Sequence, residues 1–386
     1  MISILREAFQ HRKVFVTGHT GFKGSWLCLW LSHLGARVTG YALEPPTNPS
    51  NFDISGVRDH LHRHCVSDIC DHDSLKQEIQ KADPDIVLHF AAQSVVRTGY
   101  TTPRETFETN IMGTANVLEA IRCTGRPCTA LCITSDKCYE NVEQVWGYRE
   151  TDSLGDHDPY GASKGAAELV IRAYRDSFFP LSKLSEHGVQ LLSARAGNVI
   201  GGGDWTKDAL IVDVANALMN RQPICIRNPN ALRPWQHVLQ ALSGYLLLTA
   251  KAFLSNTGEY CDAWNIGPAP GNEISVSEVV TEFIGCWDSG SWYVDARGEQ
   301  PREATILRLN IDKAMWELGW RPTWNVQTAI DKTAAWYKDY LTRTDAGASC
   351  ADFCFRQIEE FENDFNEQVL GKPTLNPLAA ATSSTT

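Results

Sequence analysis

Tyr160 and Lys164 stand four residues apart in the run YGASK. On a helix that spacing puts a phenol and an ammonium on one face. A neighbouring cation favours the phenolate, so the pair suits proton exchange with a substrate hydroxyl near neutral pH, and Lys164 is also placed to bond a ribose. A second group, Thr134, Ser135, Asp136 and Lys137, falls in ITSDKCYEN (133–141) at the end of a run that reads as a strand. Ligands of open parallel sheets bind beyond the carboxyl ends of the strands, which puts this group in the same crevice as Tyr160. A hydroxyl, a carboxyl and an amine crowded there suit proton transfers beyond those of a simple dehydrogenase. The third group is the loop TGHTGFKGSW, with Gly18, Gly21 and Gly24 directly after the first strand and at the start of a helix. Glycine lets a diphosphate approach the backbone, and the helix N-terminus offers unpaired N–H groups and a favourable dipole. The spacing is G-x-x-G-x-x-G, and the strand–turn–helix setting makes it a dinucleotide loop.

Glu44 follows the second strand, where an acid accepts from a ribose 2′-hydroxyl and repels a 2′-phosphate, favouring NAD over NADP. Asp68 and Ile69, at the end of the third strand, are placed to flank an adenine.

The elements that must position these groups alternate. Strands are expected at 13–17, 36–43, 64–69, 85–91, 128–134 and 189–195, and helices at 22–34, 71–82, 103–123 and 160–178. Apolar strands separated by helices predict an α/β fold, a Rossmann-type doubly wound parallel sheet covered on both faces. After Gly197 the chain turns rich in glycine, proline and tryptophan, as in RNPNALRPWQHV and ELGWRPTW. The division expected is residues 1–200 as the cofactor domain with a return segment near 235–265, 201–345 as a smaller, irregular substrate lobe, 346–370 as a helical extension and 371–386 as a disordered tail.

A formal charge of −11 argues against non-specific nucleic-acid binding. The N-terminus lacks a signal-peptide core, and no apolar run is expected to reach the ~18–20 residues that span a bilayer, so the expectation is a cytoplasmic protein without a membrane partner. The 12 cysteines are scattered and read as small buried hydrophobes with free thiols. His60, His62, His64 and Cys65 alternate, yet no second ligand pair follows at zinc spacing, so no metal is expected.

TGHTGFKGSW, AAQSVVR, ITSDKCYEN, WGYRE, YGASK, RAGNVIGGGDW and RPWQHV resemble the extended short-chain dehydrogenase/reductases that act on nucleotide sugars, from about residue 10 to 340. Asp136-Lys137, where related dehydratases carry Asp-Glu, is similar to the branch working on CDP-glucose. The resemblance implies NAD held by Gly18, Gly21, Phe22, Gly24, Glu44, Asp68, Ile69, Ala91, Ala92, Tyr160 and Lys164. It implies that Tyr160, helped by Lys164 and Thr134, takes the proton of a sugar 4-hydroxyl, and that Asp136 protonates a departing 6-hydroxyl. Lys137 is either the base at C5 or an electrostatic stabiliser of the enolate. Ser135, Asn198, Arg233 and Arg302 are implied at the substrate, with Arg302 in a Pro-Arg-Glu-Ala segment where relatives show Pro-His-Glu-Ala. Pairing of helices near 103–123 and 160–178 implies a homodimer or a dimer of dimers. A 4-epimerase of the same fold would need the tyrosine and lysine but not the acid–base pair.

Overall fold

The computed structural model describes residues 1–294, 307–344 and 349–370; Arg302 and the 371–386 tail lie outside them. Seven strands form one sheet: β1 Lys13–Thr17, β2 Arg37–Ala42, β3 Arg63–Val66, β4 Ile86–His89, β5 Cys128–Ile133, β6 Val189–Arg195 and β7 Ala263–Asn265. Their order is β7-β6-β5-β4-β1-β2-β3, and every pair is parallel. Val14 of β1 faces Val38 on one side and Ile86 on the other. The chain therefore winds outward from β1 in both directions, and the crevice at its carboxyl end is where a ligand fits such a sheet.

Because the strands are buried on both faces, alternate residues feed two cores. Phe15, Val87, Ala130 and Leu191 pack with Leu75, Ile79, Val117, Leu118 and Ile171 of the helices His72–Ala82, Gly113–Thr124 and Pro159–Ser177. Val14, Val16, Leu88, Leu131 and Leu192 pack on the opposite face with Trp26 and Trp30 of Phe22–His33 and with Val238–Ser255. Val238–Ser255 is long and apolar enough to cross a membrane by length and composition, which corrects the expectation that no such run exists. It is apolar all round because it is mostly buried inside the fold. The last helix, Ala351–Leu370, returns to Phe22–His33, where Trp30 Nε1 donates to Glu362 Oε1 at 2.8 Å.

Two elements differ from the sequence reading. β3 stops at Val66, because Asp68 Oδ1 accepts from Cys70 N and Asp71 then caps the next helix. The helix expected over 103–123 is Pro103–Phe107, a π-turn Glu108–Met112 and Gly113–Thr124. Asn110 in the π-turn holds both Gln93 N and Gln93 O, and donates to Ser163 Oγ at 2.8 Å. The widened turn thus ties the loop after β4 to the helix carrying Tyr160.

All 12 cysteines are free. The three alternating histidines part company: His64 meets His19, His62 meets Arg37, and His60 packs on Phe355.

Candidate active site

The crevice beyond β1, β4 and β5 is floored by the glycine loop. Gly18 turns there with φ 74°, and a Cβ on Gly24 would lie 2.1 Å from the Gly18 carbonyl oxygen, so the helix can start this close only with glycine. Gly21 is the N-cap of Phe22–His33, which has no side-chain cap and no acid in its first turn, leaving its N–H groups to a ligand. Thr17 Oγ1 accepts from Phe90 N and Ala91 N, bringing Ala91 beside Gly18, with Ala92 next in the chain. A donor set of backbone N–H groups and small residues, with no carboxylate in the loop, fits a dinucleotide diphosphate. Exposed Glu44 lies beyond β2; burial, then the Arg58 charge, lowers the His64 imidazole against the opposing pull of Glu44, and His64 Nδ1 meets His19 Nε2 at 2.7 Å. Asp68 is exposed and Ile69, next to it, is buried. The Ile69 side chain is 4% exposed and packs into the core where Gly113 makes room.

Asp158 caps the next helix through Tyr160 N and Gly161 N, with Pro159 at its first position. One turn on, Lys164 is buried with Tyr160. Burial pushes the Tyr160 phenol up from its ordinary value, while a hydrogen bond with Ser135 acts the other way. The expected phenolate is therefore disfavoured in the free crevice, because the burial of a phenolate outweighs its neighbours. Lys164 is the group brought near neutrality: burial first, then the Lys23 charge, lower it to about 8.

The hydroxyl beside Tyr160 is Ser135, not Thr134. Thr134 Oγ1 donates to Glu168 Oε1 at 2.5 Å, beneath the crevice. Ser135 Oγ donates to Asp136 Oδ1 at 2.9 Å and is close enough to the Tyr160 hydroxyl to favour its phenolate, so Tyr160, Ser135 and Asp136 stand in one row. The Thr134 assignment is corrected on this ground. Lys137 is half-buried and its charge faces Asp156. Asn198 adopts φ 45° immediately after Gly197, and its carbonyl accepts from Gln236 N. Arg233 is half-buried, with Nη1 donating to Leu232 O.

The sequence reading missed several groups. Lys23, between Gly21 and Gly24, faces Asp136, Asp204 and Lys164. Tyr245 is 1% exposed, its hydroxyl has no hydrogen-bond partner among the described residues, and it faces Asp136 and Tyr160. Lys23 and Asp204 sat inside motifs singled out for their glycines; Tyr245 carried no local signal.

Residues 15–333 match the model of the GDP-mannose 4,6 dehydratase family. The chain is 46% identical over 338 residues to a CDP-glucose 4,6-dehydratase of Salmonella typhimurium, covering 87% of this chain and 93% of that protein. Among solved structures, dTDP-glucose 4,6-dehydratase of Bacillus anthracis in complex with NAD is similar with a TM-score of 0.69 and 20% identity, covering 84% and 96% of the two chains. UDP-glucose 4-epimerase of Thermus thermophilus, in complex with NAD, is equally similar, with a TM-score of 0.69, 24% identity and coverage of 84% and 98%. Those two likenesses carry the fold alone.

Proposed function

Since the chain belongs to the GDP-mannose 4,6 dehydratase family, we propose that it is a lyase that dehydrates CDP-D-glucose to CDP-4-dehydro-6-deoxy-D-glucose with NAD as a recycled cofactor. The observation that carries this reading is the row Tyr160–Ser135–Asp136, which adds a carboxyl to the tyrosine and lysine that a plain redox reaction needs. The glycine loop, Ala91, Ala92, Tyr160 and Lys164 would hold the cofactor, and Glu44 favours NAD over NADP. The chemistry NAD supplies when bound is reversible hydride acceptance, out at C4 and back at C6.

The protein's part is proton handling. Tyr160 Oη receives the 4-hydroxyl proton, passes its own to Ser135 Oγ, and Ser135 passes its proton to the Asp136 carboxylate. Asp136, now neutral, is charged with the proton that the departing 6-hydroxyl needs to leave as water. Removal of the C5 proton, acidified by the 4-ketone, completes the elimination. Lys137 reaches this step as the base that takes the C5 proton or as the cation that stabilises the enolate.

Incubated with CDP-glucose in deuterated water, the protein should give a product lighter by one water and carrying deuterium at C5, read by mass spectrometry and NMR. A product that keeps its 6-hydroxyl and an unlabelled C5 would instead identify an epimerase, a fold-mate with the same likeness to this chain.

Self-association is part of the reading. Tyr100, Phe107, Met112 and Leu169 expose 53%, 37%, 55% and 47% of their surface on the segment 96–112 and on Pro159–Ser177. Large exposed apolar side chains on adjacent helices suit a two-fold interface. Sedimentation should find a dimer or a dimer of dimers, and Leu169→Glu with Met112→Glu should give a monomer; a monomeric parent chain refutes the interface. We place the protein in the cytoplasm, in keeping with its 12 free thiols, which an oxidising compartment would pair.

A further inference from the structure

Lys23 occupies an unfavourable place for a cation. It is at the second position of Phe22–His33, whose N-terminus carries the positive end of the helix dipole and has no acid in its first turn. The side chain is half-buried and makes no hydrogen bond or ion pair among the described residues. The carboxylates it faces are engaged elsewhere: Asp136 accepts from Ser135 Oγ at 2.9 Å, and Asp204 Oδ1 accepts from Thr206 N at 2.9 Å. A second cation is turned toward it. Lys164 is 5% exposed, also without a hydrogen bond or ion pair among the described residues, and Lys23 is the charge that most disfavours its ammonium.

Two unpaired ammonium groups and the bare N–H groups of a helix therefore converge on one crevice. The substrate lobe closes its far side. Trp26 Nε1 donates to Gly202 O at 2.9 Å, and a Cβ on Gly201 would sit 3.1 Å from the Phe22 ring, so the segment bearing Asp204 lies directly on the loop. This arrangement is destabilising until an anion enters it.

We propose that the Lys23 ammonium takes a phosphate oxygen of the dinucleotide diphosphate, giving the glycine loop a side-chain cation beside its backbone donors. The inference rests on the dinucleotide reading of the loop but not on the sugar chemistry. Bound diphosphate also relieves the repulsion between Lys23 and Lys164, so cofactor binding favours the charged form of Lys164.

Calorimetric titration with NAD and with ADP-ribose, which has the diphosphate but no nicotinamide, tests this without any sugar nucleotide. Lys23→Met should weaken both ligands by about 10- to 100-fold, the range of a hydrogen bond to a charged group. Lys23→Arg should keep most of the affinity, and added salt should weaken the parent chain more than Lys23→Met. Free of ligand, Lys23→Met should melt no lower than the parent, since it removes an unpaired cation; if it does not fold, Lys23→Gln is judged by the same criteria. Unchanged NAD affinity, weakening confined to NAD, or arginine no better than methionine overturns the proposal. Failure of the dehydratase reading would look different, with the Lys23 effect on binding intact and no 4-keto product formed.

Discussion

Turnover of Gly197→Ala is expected to fall by about 10²–10⁴-fold, the contribution of one positioned proton donor, in a protein that still folds. A Cβ at Gly197 would lie 1.8 Å from Asp136 Oδ2 and 2.1 Å from its Cγ. The backbone cannot withdraw, because Asp136 N is tied to Ala196 O at 3.3 Å at the mouths of β5 and β6. The carboxyl group must swing out instead, breaking the 2.9 Å bond from Ser135 and removing the acid from the row that Tyr160 feeds. The loss should therefore appear in kcat and resemble that of Asp136→Asn, while the melting temperature moves little. Steady-state rates with CDP-glucose and a thermal melt check both halves. Parent-like turnover in Gly197→Ala would mean that Asp136 is not the acid.

The groups legible in the sequence are those whose partners are close along the chain. The glycine loop and the Tyr160–Lys164 pair depend on a turn and on one helical repeat, and both lie where spacing put them. The choice between Thr134 and Ser135 depends instead on where β5 ends. Neighbouring strand residues point to opposite faces, so one residue decides which hydroxyl meets Tyr160. The strand ends at Ile133, and Ser135 opens the following turn by accepting from Lys137 N, which spacing could not reveal. The seventh strand has three residues and little alternation to read, yet it completes the sheet by pairing Ala263 with Ser193. Lys23 carries no sequence signal because the carboxylates it faces, Asp136 and Asp204, lie far along the chain from the glycine loop.

The polar group beneath the crevice was equally hidden, and it sets the largest stability effect. Arg195→Met should destabilise the fold by about 3–5 kcal/mol, the cost of breaking a buried ion pair from one side. Arg195 and Glu168 are each 3% exposed and meet at 2.9 Å, with Thr134 and Ser193 completing the carboxylate and Tyr139 accepting from Arg195 at 2.7 Å. Burial works to raise the Glu168 carboxyl, but Arg195 and the hydrogen bonds outweigh it and hold it below its ordinary value. In the parent chain this stabilisation is present above the ordinary carboxylate range and is lost as pH falls through the lowered value. Without Arg195, burial dominates and the carboxyl rises. The variant's penalty then grows as pH climbs from the parent's lowered value to the variant's raised one, and it shrinks in acid as Glu168 of the variant becomes neutral. Denaturant melts of the two chains at pH 7 and near pH 4.5 should show the gap narrowing. Arg195→Met with Glu168→Met should recover much of the loss, since the orphaned charge is gone. A double variant no more stable than Arg195→Met alone, or a gap independent of pH, would mean that packing around Arg195, and not its charge, holds the floor of the site.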